Sequence, residues 1–154
     1  EKRLICKGCT ENENATLAFF QDYGIKDKNA LATIMGNIKQ ESMFVPNICE
    51  GGSRTSYRGC WRGYGLIQWT SIDRFHGLGK FARKVGGDPS SLQTQLDYLM
   101  TELQWRRIEE KMKTPGKSIE RYMNYAYRWI SWGIHGARTQ YAYDYASRMI
   151  MVEV

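Results

Sequence analysis

The sequence predicts a mainly helical protein of the α+β class, with one small β-hairpin or loop wing between its helices. Apolar residues recur every three to four positions over most of the chain, which is the spacing of helices with one buried face. Residues 47–63, called the wing below, break this rhythm because they are rich in Gly, Ser and Arg. A chain of 154 residues that is 42% hydrophobic and 25% charged is sufficient for one domain with a core.

The helices of the first third are predicted from their apolar stripes and capping residues. Residues 1–13 are polar and aperiodic, which indicates a flexible tail or linker before a domain over residues 14–154. Asn14 is expected to cap a helix that reaches Tyr23, and Asp27 is expected to cap the next helix, from Lys28 to Ser42. Gly36 lies inside that second helix at a cost in stability, which suggests close packing against a neighbouring segment.

The remaining elements follow from the same signals. Residues 55–58 are the predicted strand of the wing, and Ser71 is expected to cap a helix that stops at Gly86-Gly87. A single helix is predicted from about Leu92 to before Thr114. Two further helices are predicted, one starting near Ser118 and one over residues 137–151.

Charge and hydropathy narrow the classes of partner. The net charge of +6 implies an anionic partner, such as nucleic acid, a cell-wall polymer or a lipid surface. The basic runs are short, as in Arg83-Lys84 and Arg106-Arg107, so nucleic acid is not expected. No apolar run approaches the length of a membrane span, so no membrane insertion is expected. Without an initiator Met or a signal-peptide pattern, we expect a processed form or a domain of a longer protein.

The four cysteines are compatible with three states. Cys6-x-x-Cys9, Cys49 and Cys60 would form a four-thiolate zinc site if the two pairs met at one tetrahedral ion. They would form disulfides in one of three connectivities, and a Cys49–Cys60 bridge would fix the wing. Free thiols are the third possibility. His76 and His135 lack a metal-ligand spacing, so no other metal site or cofactor is expected.

Glu41 is the main candidate for a catalytic residue. It continues the buried stripe of Ile34 and Ile38 into the last turn of its helix. Burial raises the pKa of a carboxyl group in general, and the negative end of a helix dipole acts in the same direction. A carboxylic acid that stays protonated near neutral pH can act as a general acid. The structural alternative is a glutamate that reaches solvent or pairs with an arginine.

Two motifs around Glu41 favour the catalytic interpretation. The helix closes with Glu41-Ser42, and Gly65-Leu66-Ile67-Gln68 follows the Gly-rich wing and precedes Trp69-Thr70. In this order the two motifs resemble the phage tail lysozyme family, in the superfamily of goose-type lysozymes and soluble lytic transglycosylases. The close resemblance covers residues 29–82. It implies a lysozyme-like fold in which the helical body and the wing form a cleft, with Glu41 as the catalytic acid.

The resemblance also implies an activity. It indicates a muramidase that cleaves the β-1,4 bond between N-acetylmuramic acid and N-acetylglucosamine of bacterial peptidoglycan, without a cofactor. The protein would belong to a phage virion, with tail or baseplate proteins as further partners, or would act as an endolysin at the host cell envelope. The alternatives are a lytic transglycosylase, which forms 1,6-anhydro products, and a non-catalytic glycan-binding tail module.

The second catalytic candidate is Glu50 in the wing. Glycosidases usually need a second carboxylate as nucleophile or base, although the transglycosylase branch of the superfamily works with one glutamate. Asp73 is explained without function by its place in the first turn of a helix, where the dipole stabilises it. A solvated loop glutamate remains the alternative for Glu50.

The substrate-binding candidates combine the motif residues with aromatic residues nearby. The amide of Gln68 suits an N-acetyl group or a positioned water, and Tyr and Trp rings stack on sugars. Tyr127 is included because Asn124-Tyr125-Ala126-Tyr127 resembles the Ala-Tyr element of the transglycosylases. Trp69 fits a sugar subsite and a core position equally well. The candidates are Ser42, Tyr57, Trp61, Tyr64, Gln68, Thr70 and Tyr127.

Overall fold

The computed structural model describes all 154 residues and contains eight α-helices and one two-stranded antiparallel sheet. The predicted fold class, mainly helical with a small β component, is confirmed. In chain order the elements are β1 (Lys2–Cys6), α1 (Glu11–Asp22), α2 (Lys28–Ser42), α3 (Ile72–Val85), α4 (Leu92–Thr101), α5 (Leu103–Arg106), α6 (Glu109–Lys113), α7 (Ile119–Ile130), α8 (Arg138–Arg148) and β2 (Met149–Glu153). None of the helices is long and apolar enough to cross a membrane.

The chain divides into two units. The first unit is Glu1–Gln40 together with Leu103–Val154, and the second unit is Glu41–Glu102. In the first unit the buried Trp105 ring contacts Phe20 and Trp129, with ring centroids 5.3 and 5.1 Å apart. These large buried rings form the centre of the first unit's core.

The sheet lies at the ends of the chain and corrects the prediction for residues 1–13. β1 pairs with β2 from Lys2 opposite Glu153 to Cys6 opposite Met149. The segment was predicted to be a flexible tail because a five-residue strand gives little periodic signal and its partner lies at the far end of the sequence. For the same reason the last helix was predicted to reach residue 151, whereas α8 ends at Arg148.

The start of α1 also differs from the prediction. Thr10, not Asn14, caps the helix: its hydroxyl accepts from the Glu13 N–H, and the Glu13 carboxylate accepts from the Thr10 N–H. The Asn14 side chain instead binds both backbone groups of Cys6, at 2.8 and 3.1 Å. Asn14 therefore joins α1 to the strand β1.

The prediction for α2 is confirmed at both ends. The Asp27 carboxylate accepts hydrogen bonds from the N–H groups of Asn29 and Ala30, at 2.8 and 3.1 Å, as a helix cap does. Gly36 packs closely, as expected, because a Cβ there would lie 2.7 Å from the backbone nitrogen of Ala142 in α8. α2 ends at Ser42, so its last two residues belong to the second unit.

In the second unit α3 is capped by Ser71 and ends at the left-handed Gly86, as predicted. The single helix predicted from Leu92 to before Thr114 is instead three short helices, α4, α5 and α6. The first break lies at Glu102, which has extended backbone. Its buried carboxylate accepts from the Trp69 indole at 2.7 Å and from the Arg74 guanidinium at 2.8 Å. These tertiary bonds account for a break that the apolar stripe did not indicate.

The wing contains isolated β-bridges and no strand. The predicted strand over residues 55–58 is wrong, because Tyr57–Gly59 forms a short 3₁₀ helix capped by Ser56. Within the wing Ile48 is bridged to Arg54, Cys49 of the wing is bridged to Tyr64, and a third bridge joins Tyr64 to Trp69 just after the wing. All four cysteines form disulfides, Cys6–Cys9 and Cys49–Cys60, so neither the zinc site nor free thiols are present.

Candidate functional site

Glu41 lies half-buried in the last turn of α2, where the following turn fixes the helix end. Ser42 is buried, its hydroxyl accepts from the Phe44 N–H at 3.2 Å, and its carbonyl accepts from the Val45 N–H. Met43 and Phe44 both have left-handed backbone, with φ of 51° and 62°. Two successive left-handed residues turn the chain sharply, so Ser42 serves the turn and is not exposed to a ligand.

The Gly65–Gln68 segment is a hydrogen-bonded turn attached to Ile48. The Gln68 N–H donates to the Gly65 carbonyl at 3.0 Å, which closes the turn. The Ile48 carbonyl accepts from the Gly65 N–H at 3.0 Å and from the Gln68 side chain at 3.2 Å. The second motif is therefore held to the segment that follows Glu41 within the second unit.

Gln95 in α4 makes a second connection between the same two segments, and the sequence-based candidates did not include it. Its buried side-chain oxygen accepts from the Leu66 N–H at 2.8 Å, and its nitrogen donates to the carbonyls of Pro46 and Pro89 at 2.7 and 2.8 Å. The signal was present in the sequence: Gln95 is a polar residue at a position of the apolar stripe of α4, just as Glu41 is a polar residue in line with the stripe of α2.

The Gln68 side chain is half-buried and has a fixed orientation. Its nitrogen donates to two backbone carbonyls, those of Ile48 and Gly65. Its oxygen accepts no hydrogen bond from the chain, so it can accept one from a ligand N–H or O–H. Gln68 also has left-handed backbone, with φ of 52°.

Glu50 is exposed in the wing, next to the Cys49–Cys60 disulfide. Its N–H donates to the Gly63 carbonyl at 2.6 Å. A Cβ on Gly63, whose φ is 68°, would lie 2.7 Å from the Cβ of Glu50, so only glycine fits beside this residue. Asp73 is exposed in the first turn of α3, in agreement with its structural interpretation.

The aromatic candidates divide into exposed and buried residues. Trp61 is 93% exposed and offers an open ring face. Tyr64 is fully buried, with its hydroxyl within 2.8 Å of the Thr55 carbonyl and the Ser90 hydroxyl. Tyr64 therefore cannot stack on a sugar in this structure, which corrects its prediction as a substrate contact. Trp69 is likewise a core residue.

The Tyr57 ring has a structural role in the second unit. It stacks on Phe75 with centroids 4.7 Å apart, and its hydroxyl donates to the Phe75 carbonyl at 2.6 Å. Burial raises the pKa of the Tyr57 hydroxyl and that of Tyr64, so both stay protonated donors at neutral pH. Tyr57 remains half-exposed and keeps an accessible edge.

The last two candidates lie in different units. Thr70 is exposed in the second unit, and its hydroxyl donates to the Gln68 carbonyl at 2.8 Å. Tyr127 is 50% exposed on α7 in the first unit, where its ring meets Trp132 edge to face at 4.9 Å. No group of three or more His, Cys, Asp or Glu residues is arranged to hold a metal ion.

Comparison with known proteins identifies the family. No curated protein and no solved structure matches the chain. The model of one family, described as phage tail lysozyme, matches residues 11–148. That family suggests a lysozyme-like glycosidase that acts on peptidoglycan, at the phage tail or the bacterial cell wall. Because the match extends over most of the 154 residues, the chain belongs to the phage tail lysozyme family.

Proposed function

We propose that this protein is a muramidase in which Glu41 is the general acid. It would cleave the β-1,4 bond between N-acetylmuramic acid and N-acetylglucosamine. The observation that carries the proposal is the double attachment of the Gly65–Gln68 turn to the segment after Glu41, directly to Ile48 and through the Gln95 side chain to Pro46. This attachment links the Gly65–Gln68 motif to the segment that follows the Glu41-Ser42 motif. Catalysis requires such a fixed arrangement of the groups that act on the substrate.

In the proposed reaction, Glu41 donates its proton to the glycosidic oxygen as the bond between that oxygen and the anomeric carbon breaks. The bonding electrons pass to the oxygen, and positive charge develops on the sugar ring. Glu50 is proposed to complete the reaction in one of two ways: as the nucleophile that bonds to the anomeric carbon and is then displaced by water, or as the base that takes a proton from the water that attacks this carbon. Its exposed position on a loop closed by a disulfide supports this role.

The proposed substrate contacts are groups that are exposed or that have no hydrogen-bond partner within the protein. The Gln68 oxygen would accept from the N–H of an N-acetyl group, because its nitrogen is already committed to Ile48 and Gly65. Trp61 would stack on a sugar ring, for which its open indole face is suited. Thr70 and the exposed edge of Tyr57 are proposed as further contacts, and Tyr127 as a contact from α7.

The experiment that tests the proposal pairs two measurements on purified peptidoglycan. Loss of turbidity detects cleavage, and mass spectrometry of the released fragments identifies the reaction. We expect reducing muropeptides that contain one added water. Products lighter by one water would identify a lytic transglycosylase instead, and intact peptidoglycan would indicate a glycan-binding module.

The site of action is proposed from the same family. The protein would act on the host cell wall, either as part of the phage tail, bound to tail or baseplate proteins, or as an endolysin at lysis. The net charge of +6 supports an anionic wall as its partner. Immunogold labelling of the protein on purified virions separates the two routes. Labelled tails would indicate a part of the virion, and unlabelled virions would indicate an endolysin.

A further inference from the structure

Two adjoining pockets in the second unit are not accounted for by the proposed catalytic residues. Their volumes are about 410 and 370 Å³, and both are lined by Tyr57, Arg58 and Arg83. Neither is lined by Glu41, Glu50 or Gln68. The smaller pocket, called the basic pocket below, is completed by Cys60, Phe75, His76 and Lys80.

The cations of the basic pocket have no partner within the protein. Arg58, Lys80 and Arg83 are exposed and form no ion pair or side-chain hydrogen bond. Arg74 lies on the same helix as Lys80 and Arg83 but differs from them, because its guanidinium forms an ion pair with the Glu102 carboxylate at 2.8 Å. Three unpaired cations around one cavity create a positive potential that attracts anions.

The residues that line the basic pocket favour an acidic group as its ligand. No carboxylate lines the basic pocket, whereas Asp88 lines the larger one and accepts from the Ser90 N–H at 2.8 Å. The planar guanidinium groups of Arg58 and Arg83 match the two oxygens of a carboxylate or a phosphate. The stacked Tyr57 and Phe75 rings give the same cavity an apolar wall for the carbon atoms next to such a group.

We propose that the basic pocket binds an acidic group that the bacterial wall polymer carries beside the glycan strand that is cleaved. This extends the proposed function, on which it rests for the identity of the polymer. The group is a carboxylate of the peptide stems or a phosphate of a polymer attached to the wall. Binding there gives the enzyme a preference for intact wall material over bare glycan.

The test measures binding without turnover, by co-sedimentation of the E41Q protein with insoluble wall material. The pocket variant is Arg58→Gln with Arg83→Gln. The control is Arg62→Gln with Lys84→Gln, which removes two exposed positive charges that line neither pocket. Arg58→Lys with Arg83→Lys keeps the charge. Three insoluble materials are compared: complete sacculi, sacculi treated with hydrofluoric acid to remove phosphate polymers, and chitin, a neutral N-acetylglucosamine polymer that carries neither peptides nor phosphate.

We expect the pocket variant to bind complete sacculi about five- to tenfold more weakly than the control, in a salt-sensitive manner, and the lysine variant to recover part of that affinity. If the difference disappears after acid treatment, the ligand is a phosphate; if it persists after acid treatment and is absent on chitin, the ligand is a carboxylate of the peptides. Equal binding by the pocket variant and the control overturns the proposal, as does a difference of the same size on chitin. The comparison measures binding and not cleavage. It therefore tests the basic pocket even if Glu41 proves not to be the catalytic acid.

Discussion

The side-chain oxygen of Gln95 accepts a hydrogen bond from the backbone N–H of Leu66 at 2.8 Å. Through this bond α4 holds the Gly65–Gln68 turn, while the nitrogen of the same amide holds the Pro46 carbonyl at 2.7 Å. Gly65 is adapted to the contact, since a Cβ there would lie 2.6 Å from the Gln95 oxygen. The segment that follows Glu41 and the turn that ends at Gln68 thus share one buried side chain.

Replacing Gln95 with Ala should destabilise the protein and reduce its activity. The change leaves the Leu66 N–H and the Pro46 and Pro89 carbonyls without their partner, and each unsatisfied buried group costs about 1–3 kcal/mol. We expect the free energy of unfolding in urea to fall by about 2–4 kcal/mol, allowing for partial access of water. Gln93→Ala, on the exposed face of the same helix, is the control and should change stability little. Equal stability of both variants would contradict the anchoring role.

Glu41→Gln should abolish cleavage while binding persists. The amide keeps the shape of the side chain but has no proton to give to the leaving oxygen, so the rate should fall by roughly 10²–10⁴-fold. Clearing of cell walls and pull-down on insoluble peptidoglycan are measured together, with Glu110→Gln, an exposed glutamate of α6, as the control. Unchanged clearing would show that Glu41 is a structural glutamate.

Glu50→Gln separates the two-carboxylate mechanism from a single-acid mechanism. With Glu50 as nucleophile or base, we expect a rate loss of roughly 10²-fold or more. The carboxyl groups of Glu41 and Glu50 should then lie within about 10 Å of each other in a crystal structure with bound saccharide. Asp73→Asn, another exposed carboxylate of the second unit, serves as the control. Near-full activity of Glu50→Gln would leave Glu41 as the single acid.

Gly36→Ala should destabilise the first unit, although alanine favours helix formation. The added Cβ would lie 2.7 Å from the Ala142 nitrogen and 2.8 Å from the Arg138 oxygen, and both are backbone atoms. α2 and α8 must separate to accept it, at a cost of about 1–3 kcal/mol in the free energy of unfolding. Gly133→Ala is the matched control because no atom lies within 4 Å of its Cβ position. Thermal unfolding of both variants provides the measurement, and an unchanged midpoint for Gly36→Ala would refute the close packing.

Glu13 should make stability depend on pH in the acid range. Burial by itself raises the pKa of its carboxyl, but hydrogen bonds with Thr10 and Tyr145 and the charge of Arg148 lower it overall. A pKa that is lower in the folded state gives stability that is present at neutral pH and is lost as the pH falls through the folded value.

The corresponding variant is Glu13→Gln. It should be less stable than the wild type at pH 7, and the difference should shrink below about pH 4.3, the ordinary value for glutamate. Glu11→Gln in the same turn, where the side chain is exposed, should show little of this dependence. Urea unfolding from pH 7 to pH 3 gives the comparison, and a difference that is constant with pH would exclude the assigned role.

The sequence alone determined the elements whose signals lie within a few residues. α2 begins after Asp27 and ends at Ser42, α3 follows Ser71, and α7 follows Ser118, because each cap bonds to backbone groups two or three residues ahead. The close packing at Gly36 was also evident, since a glycine inside a helix requires a reason. The family could also be inferred from the sequence, because each of the two motifs that indicate it is only a few residues long.

Tertiary structure decided everything that depends on residues far apart in the sequence. It paired β1 with β2, formed the Cys49–Cys60 disulfide, and buried Tyr64 while leaving Trp61 exposed, although both aromatic residues lie in similar Gly-rich surroundings. It also ended α4 just before Glu102, whose carboxylate is bound by side chains about thirty positions earlier. The hydrogen-bond partners and burial of these groups are set by which surfaces meet on folding, and no window of neighbouring residues contains that information.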